Sequence, residues 1–505
     1  MINKKTGTKI KNRAVSFFKD KHNLIAVAIF IFAFALRFNY AFMSGLWVDE
    51  GRYAVMGRAL LDHPFDYSTM MHGTITAFPP VFPYMLFLSQ SIFGAGDFAV
   101  RIVNPILGAL SVLLMYALGR VMFNRNVGLY AAALMAVSPL ILFFSERVLL
   151  ETPMVFFGLS TLFLFYYGYE RKKNMFLYAS GIFFVLGFLT KQAVLFILPA
   201  IGLYLIYSRK WAWLKEKRIW ITIAIMLLVM MPWAVRSYTH CGSFSCEASF
   251  AMSWFSSEGG GFDVVRDYFY YINLTPFTLT TGVLILSFFG LIPLINGQKK
   301  KEYLLILSFA LMIHIIFAIT AVKVPRYILL AVPILILLAA KGVDEISRQI
   351  AGKERKYAFL VALVILAPVL YISYNAGTTM IEEKAPGFLM LKDAGLYLEN
   401  TPKDTVIMAA PPQPISFYAG DKKTAAYPVE AEDLAERIYN TSTDYVIIDA
   451  YERTQREWIY SYVPTRPYLV FEKVFNQNDQ PVVAIFKVDQ NKLMAELQNK
   501  TMVLE

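Results

Sequence analysis

The chain has 505 residues, of which 57% are hydrophobic, 15% aromatic and only 17% charged, with a formal net charge of +11. Soluble globular chains run at roughly 45–50% apolar and about 25% charged, so an ordinary soluble enzyme, a disordered chain and a nucleic-acid-binding domain all fit poorly. The charge is also divided: residues 1–375 carry a net +17 and residues 376–505 a net −6, which describes two compartments rather than one basic surface.

A transmembrane helix needs about 20 mainly apolar residues. Runs of that kind lie near 23–43, 99–119, 128–145, 148–169, 175–190, 193–208, 219–235, 276–296, 303–322, 325–341 and 357–375, eleven in all. The first is too long for a signal peptide and lacks a small-residue cleavage site. The expected fold is therefore mainly α: a polytopic membrane protein with about 11 transmembrane helices and a small C-terminal α/β domain. Its parts are a cytoplasmic segment 1–22, a membrane domain 23–376 with a large first outer loop 44–98, and a soluble tail 377–505.

Lys and Arg in short loops mark the cytoplasmic side. With the N-terminus inside, MINKKTGTKIKNR, GRVMFNRN, ERKKN, SRKWAWLKEKR, NGQKKKE and KGVDEISRQIAGKERK all fall inside, and each is basic. An odd number of spans then puts the tail outside the cell membrane. The proline-broken run 79–94 would invert the later loops if it crossed, so it is expected as an interfacial helix. Cys241 and Cys246, the only cysteines, share one outer loop in HCGSFSCE. A local disulfide or two idle thiols is the expectation, since His240 would complete only three zinc ligands.

In the tail, TVIMAA (405–410), DYVIIDA (444–450), LVFEKVF (469–475) and VVAIFKV (482–488) read as strands, and AEDLAERIYN (431–440) as an amphipathic helix. The tail shows no catalytic constellation and is expected to bind acceptor or to stabilise. No Gly-rich phosphate loop of Walker or dinucleotide type occurs.

Ionisable residues at helix ends facing a membrane cavity are costly, which marks them as functional candidates. The outer face gathers Asp49 and Glu50 in GLWVDEGRY, Glu146, Arg147 and Glu151 in SERVLLETP, Lys191 in LTKQ, and Lys323 and Arg326 in VKVPRY. Carboxylates beside several cations suit transfer of a group carried on a lipid phosphate. One carboxylate serves as general base on an acceptor hydroxyl; the cations hold the phosphate and stabilise charge on the leaving group. The plain alternatives are that such charges snorkel as anchors and that Arg147 and Glu151, spaced i, i+4, form an intrahelical ion pair. Arg52 and Arg58 are expected to solvate the loop helix, Asp62, His63 and Asp66 to make turns, and His314 to bond between helices. His72 is a possible site lining or a polar loop residue.

The first span followed by VDEGRY, then FPPVFPYMLFLSQSIFGAGDFAVRIVNPILGALSVLLMYALGRVMF, SERVLLETPMVFF, LTKQAVLFILP and VPRYILLAVPILILLAA, resembles glycosyltransferase family 39. This is the protein O-mannosyltransferase and aminoarabinose transferase group within the C-type membrane glycosyltransferase superfamily. The resemblance covers about residues 23–341. It implies an inverting transferase that takes a sugar from a polyprenyl-phosphate donor on the outer face, without nucleotide sugar, cofactor or divalent metal. The acceptor is a hydroxyl or phosphate on a protein, lipid or glycan; no nucleic acid is involved.

By motif, Asp49 is the implied acceptor-activating base, with Glu50 its neighbour. The Arg-x-x-x-acid motif falls on Arg147 and Glu151, where the family more often has Asp. The LTK lysine falls on Lys191 and the RY pair on Arg326 and Tyr327, all implied to meet the donor phosphate. TITAFPP lacks the lysine that often precedes the Pro-rich segment in related enzymes, which leans phosphate binding on Lys191, Lys323 and Arg326. The competing reading is a transporter or flippase of a lipid-linked saccharide, which predicts matching halves or broken midplane helices. A membrane-anchored receptor is a third, and it leaves the outer acid pair unexplained.

Overall fold

The computed structural model describes residues 19–64, 79–242, 267–320, 322–451 and 457–504. The chain divides into two compact units. One comprises 1–41, 71–85 and 101–381; the other takes 42–70, 86–100 and 382–505.

In the first unit, every one of the eleven apolar runs falls on helix. Among the described residues, six helices are long and apolar enough to cross a membrane: Lys21–Tyr40, Asp97–Met122, Gln192–Arg209, Lys217–Thr239, Lys300–Ala318 and Arg355–Lys384. Two bent pairs raise the number to eight if each is one span. Length and composition of the described helices thus account for six to eight of the eleven crossings expected from hydropathy. The 79–94 run forms the helix Val81–Phe93. At 13 residues and about 1.5 Å each, it falls short of a roughly 30 Å hydrocarbon layer.

The break inside the third run explains itself locally. Arg125–Val137 ends at Ser138, and Pro139 opens Pro139–Glu146 with a bend of 58°. The carbonyls left over need partners, since nothing in a bilayer supplies them. Arg37, in the last turn of Lys21–Tyr40 and fully buried, donates to Ala136 O at 3.0 Å, to Met135 O at 3.3 Å and to Ala33 O at 3.0 Å. The guanidinium fork therefore closes a helix end on a neighbouring helix.

The second unit holds a five-stranded sheet: β1 (Val406–Met408), β2 (Lys423–Ala425), β3 (Tyr445–Asp449), β4 (Leu469–Gln477) and β5 (Gln480–Val488), in the order β2-β1-β3-β5-β4. β1 runs parallel to β2 and β3, while β5 is antiparallel to β3 and β4. The period of two sends Ile407, Ile447 and Ile485 to one buried cluster, with Leu391, Leu398 and Ile415. It sends Met408, Val446 and Phe486 to another, with Leu434 and Ile438. Helices thus cover both faces.

The four expected strands are present. β2 is an addition of three residues, too short for its pattern to announce it. The helix Ala358–Lys384 runs through residue 377 without a break. The tail does not cluster alone, either: 42–70 and 86–100 of the first loop belong to the same unit.

Candidate active site

The helix Glu151–Glu170 starts at Glu151, so the carboxylate stands at the positive end of the helix dipole. Lys191 follows the end of Asn174–Phe188, where the Thr190 and Lys191 N–H groups turn back to Gly187 O at 3.1 and 2.9 Å. Arg326 and Tyr327 lie in the 3-10 turn Pro325–Ile328, whose first residue is a proline. These three segments bring one acid and two cations together. Lys191 Nζ is 2.6 Å and Arg326 Nε 3.7 Å from Glu151 Oε1. The Glu151 side chain is 2% exposed, whereas Lys191 and Arg326 are 22% and 30% exposed.

A buried carboxylate therefore backs two cations that keep part of their surface open. Tyr327 completes the group: its ring lies 5.7 Å from Lys191 Nζ and stacks on Phe317 at 4.8 Å. One buried acid against two cations leaves a local excess of positive charge, which suits a phosphate.

Arg147 is placed differently from the intrahelical reading. Pro139–Glu146 ends at Glu146, Arg147 is extended, and the next helix begins only at Glu151. With no helix joining them, Arg147 pairs with its neighbour, Nε to Glu146 Oε1 at 2.6 Å, both side chains buried. The turn is fixed from outside by Asn104, whose amide donates to Arg147 O and, at 2.8 Å, to Leu149 O. Asn104 escaped the sequence reading; its signal was a lone amide within the apolar run 99–119.

Lys323 is also differently employed. Its ammonium donates to Phe317 O, Ala318 O and Thr320 O at 2.9, 2.6 and 2.7 Å. Three donors on three carbonyls at the end of Lys300–Ala318 make it a helix cap. His314 bonds to Ala310 O at 2.8 Å, one turn back on its own helix, and not between helices as expected.

In the second unit, Asp49 and Glu50 open the helix Val48–Asp62. Glu50 is fully buried and its Oε2 accepts the Trp47 N–H at 2.7 Å, which caps the helix start. Asp49 is 38% exposed and lies 3.5 Å from Arg52. The adjacent acids are thus separated by environment: one is absorbed by the backbone, one is presented outward. Arg58 does more than solvate its helix, since it donates to Phe417 O at 3.1 Å and to Asp421 Oδ1 at 2.7 Å. Burial pushes the Asp421 carboxyl up, against the pull of Arg58. His72, Cys246 and the side chain of Cys241 lie outside the described residues, and with them the disulfide. Among the described residues no three His, Cys, Asp or Glu side chains gather as a metal site.

Residues 77–235 match the family model described as dolichyl-phosphate-mannose-protein mannosyltransferase. The structure is similar to ArnT from Cupriavidus metallidurans bound to undecaprenyl phosphate, with a TM-score of 0.64 and 15% identity over 91% of this chain and 97% of that one. The chain has the fold of ArnT. The archaeal oligosaccharyltransferase AglB from Archaeoglobus fulgidus shares this fold, with a TM-score of 0.64 and 16% identity over 94% of this chain and 75% of AglB.

In sequence, the chain is 28% identical over 377 residues to the undecaprenyl phosphate-alpha-4-amino-4-deoxy-L-arabinose arabinosyl transferase of Pseudomonas paraeruginosa. That match takes 70% of this chain and 66% of the relative, just under two thirds of its length. The C-type resemblance carried by the sequence motifs agrees with all of these matches. The ArnT neighbour holds undecaprenyl phosphate, and the Pseudomonas relative is named as an undecaprenyl phosphate-aminoarabinose transferase.

Proposed function

We propose that this chain moves a sugar from a polyprenyl-phosphate donor to a hydroxyl or phosphate acceptor on the extracytoplasmic face, with inversion. The buried Glu151 behind the half-open Lys191 and Arg326 carries this reading. Lys191 and Arg326 take the donor phosphate, Tyr327 flanks them, and Glu151 holds both cations in place. Arg147, whose charge Glu146 balances, lies buried in the turn that leads to Glu151. Asp49, the outward member of the acid pair, removes the proton from the acceptor. The acceptor oxygen attacks the anomeric carbon from the face opposite the phosphate. The bond from that carbon to the phosphate oxygen breaks, and its electron pair leaves on polyprenyl phosphate, whose growing charge the cations stabilise.

Lys323 keeps its capping role in this scheme, and no cofactor or metal takes part. The topology that accompanies it has a cytoplasmic N-terminus, eleven crossings, Val81–Phe93 lying at the interface and an extracytoplasmic tail domain.

Purified protein incubated with a radiolabelled panel of polyprenyl-phosphate sugars and candidate acceptors tests the reaction, in excess EDTA and without it. Transfer by the unaltered chain, its loss in Asp49→Asn and indifference to EDTA are expected. No transfer with any donor, or undiminished transfer by Asp49→Asn, contradicts the scheme. Labelling of single cysteines in 382–505 from the cytoplasmic side would contradict the topology.

A further inference from the structure

The helix Val48–Asp62 is held along its length by one short stretch of the C-terminal segment. In its first turn, a Cβ at Gly51 would lie 2.7 Å from Pro414 N and 2.9 Å from Pro414 Cα. Only glycine admits so close an approach of backbone to helix. Ahead of the helix, the Leu46 N–H donates to Tyr418 Oη at 3.2 Å, and Tyr418 in turn donates to Asp97 at 3.2 Å. Lys392 closes on the same Asp97 carboxylate at 2.7 Å. Towards the far end, Arg58 bonds Asp421 and the Phe417 carbonyl while its guanidinium lies 4.1 Å from the centroid of the Phe417 ring. Three points of attachment, at 46, 51 and 58, fix both the axis of the helix and its rotation about that axis. Glu50 bonds the Trp47 N–H, while rotation of this helix changes where the more exposed Asp49 is aimed.

We propose that the 412–421 stretch is a positioning element for catalysis: Pro414, Tyr418 and Asp421 set the orientation of the helix that presents Asp49. The inference rests on Asp49 as the acceptor base, and it gives the tail a part in the reaction beyond acceptor binding or stabilisation. Misplacing a reacting group by about 1 Å costs on the order of 10²-fold in rate. A helix turned about its axis moves its side chains by that much before it loses its fold.

The test measures transfer rate per mole of bound undecaprenyl phosphate in Gly51→Ala, Tyr418→Phe, Asp421→Asn and Asp49→Asn, with Gly96→Ala as control. A Cβ at Gly96 meets nothing within 4 Å. Gly51→Ala is expected to lower turnover per site by about 10- to 100-fold. Tyr418→Phe and Asp421→Asn are expected to lower it by about fivefold, the scale of one hydrogen bond. Undecaprenyl phosphate affinity stays unchanged in all three, and Gly96→Ala behaves as the unaltered chain.

A merely structural role would instead reduce the number of binding sites and leave the rate per site alone, which overturns the proposal. Should Gly51→Ala fail to fold, the two single-contact variants decide. Loss of transfer in Asp49→Asn with all three variants at full rate overturns the positioning role alone. Full transfer in Asp49→Asn, or no transfer by the unaltered chain, overturns the function reading and this inference with it.

Discussion

Lys191 Nζ rests 2.6 Å from Oε1 of Glu151, and of the two side chains only the lysine reaches the open, 22% exposed against 2%. Removing a partner from such a pair is therefore asymmetric. Lys191→Met leaves a buried carboxylate facing Arg326 at the longer distance of 3.7 Å, and breaking a buried pair costs about 3–5 kcal/mol. Glu151→Gln leaves two cations that water reaches, at roughly 1–2 kcal/mol. Thermal unfolding in detergent is expected to rank Lys191→Met below Glu151→Gln; the reverse order would contradict the burial described.

Donor binding separates Lys191 from Lys323. Lys191→Met is expected to weaken undecaprenyl phosphate binding by about tenfold or more, the scale of a charge-assisted hydrogen bond. Lys323→Met releases three helix-end carbonyls and is expected to lower stability by about 1–3 kcal/mol while changing that affinity less than about twofold. Equal losses of affinity in the two variants would give Lys323 a phosphate contact.

Asn104 supports the turn between Glu146 and Glu151 from a neighbouring helix. Asn104→Leu removes both of its amide bonds, to Arg147 O and Leu149 O, and strands two carbonyls away from water. A stability loss of about 2–4 kcal/mol is expected, together with slower transfer, since Glu151 starts directly after that turn. Unfolding temperature and turnover measured on the same preparation check it; unchanged values for both refute the role of the amide.

The sheet unit carries an alkaline liability. Burial raises the phenols of Tyr427, Tyr451 and Tyr468 above their ordinary value of 10. Above about pH 10 an unfolded chain releases these protons while the folded one keeps them, so stability falls as pH rises through that value and is untouched by them below about pH 9. A pH jump followed at 295 nm is expected to show a fast phenolate phase and a slow one concurrent with loss of circular dichroism. Tyr468→Phe is expected to shrink the slow phase by one phenol; an equal slow phase would count against its burial.

Much of the helical plan was legible because apolar length is a local property: each hydropathy run fell on helix. What hydropathy could not deliver was continuity. The run at 128–145 is interrupted by Ser138–Pro139, whereas SERVLLETP forms the turn between two helices that the sequence suggests. The pairing of charges was equally hidden. Glu151 meets cations from turns 40 and 175 residues onward in the chain, and Arg58 finds Asp421 across 363 residues. Sequence spacing offered Arg147 and Glu151 to each other at i, i+4, but the backbone between them is not helical and that geometry never forms. The four alternating strands were readable; β2, with three residues, carries no period to read.

The sheet unit is assembled from both ends of the chain, 42–70 and 86–100 with 382–505. During synthesis, the segment bearing Asp49 emerges early and then waits for some 350 further residues before its C-terminal packing partners exist. At about 5–20 residues per second this is roughly 18–70 seconds. Throughout that interval the helix Val48–Asp62 lacks Pro414, Tyr418 and Asp421, so the acid proposed as acceptor base is aimed only after residue 421 has been made. Premature termination anywhere before residue 412 would therefore yield membrane helices with an unsupported acid, a protein that inserts but does not turn over.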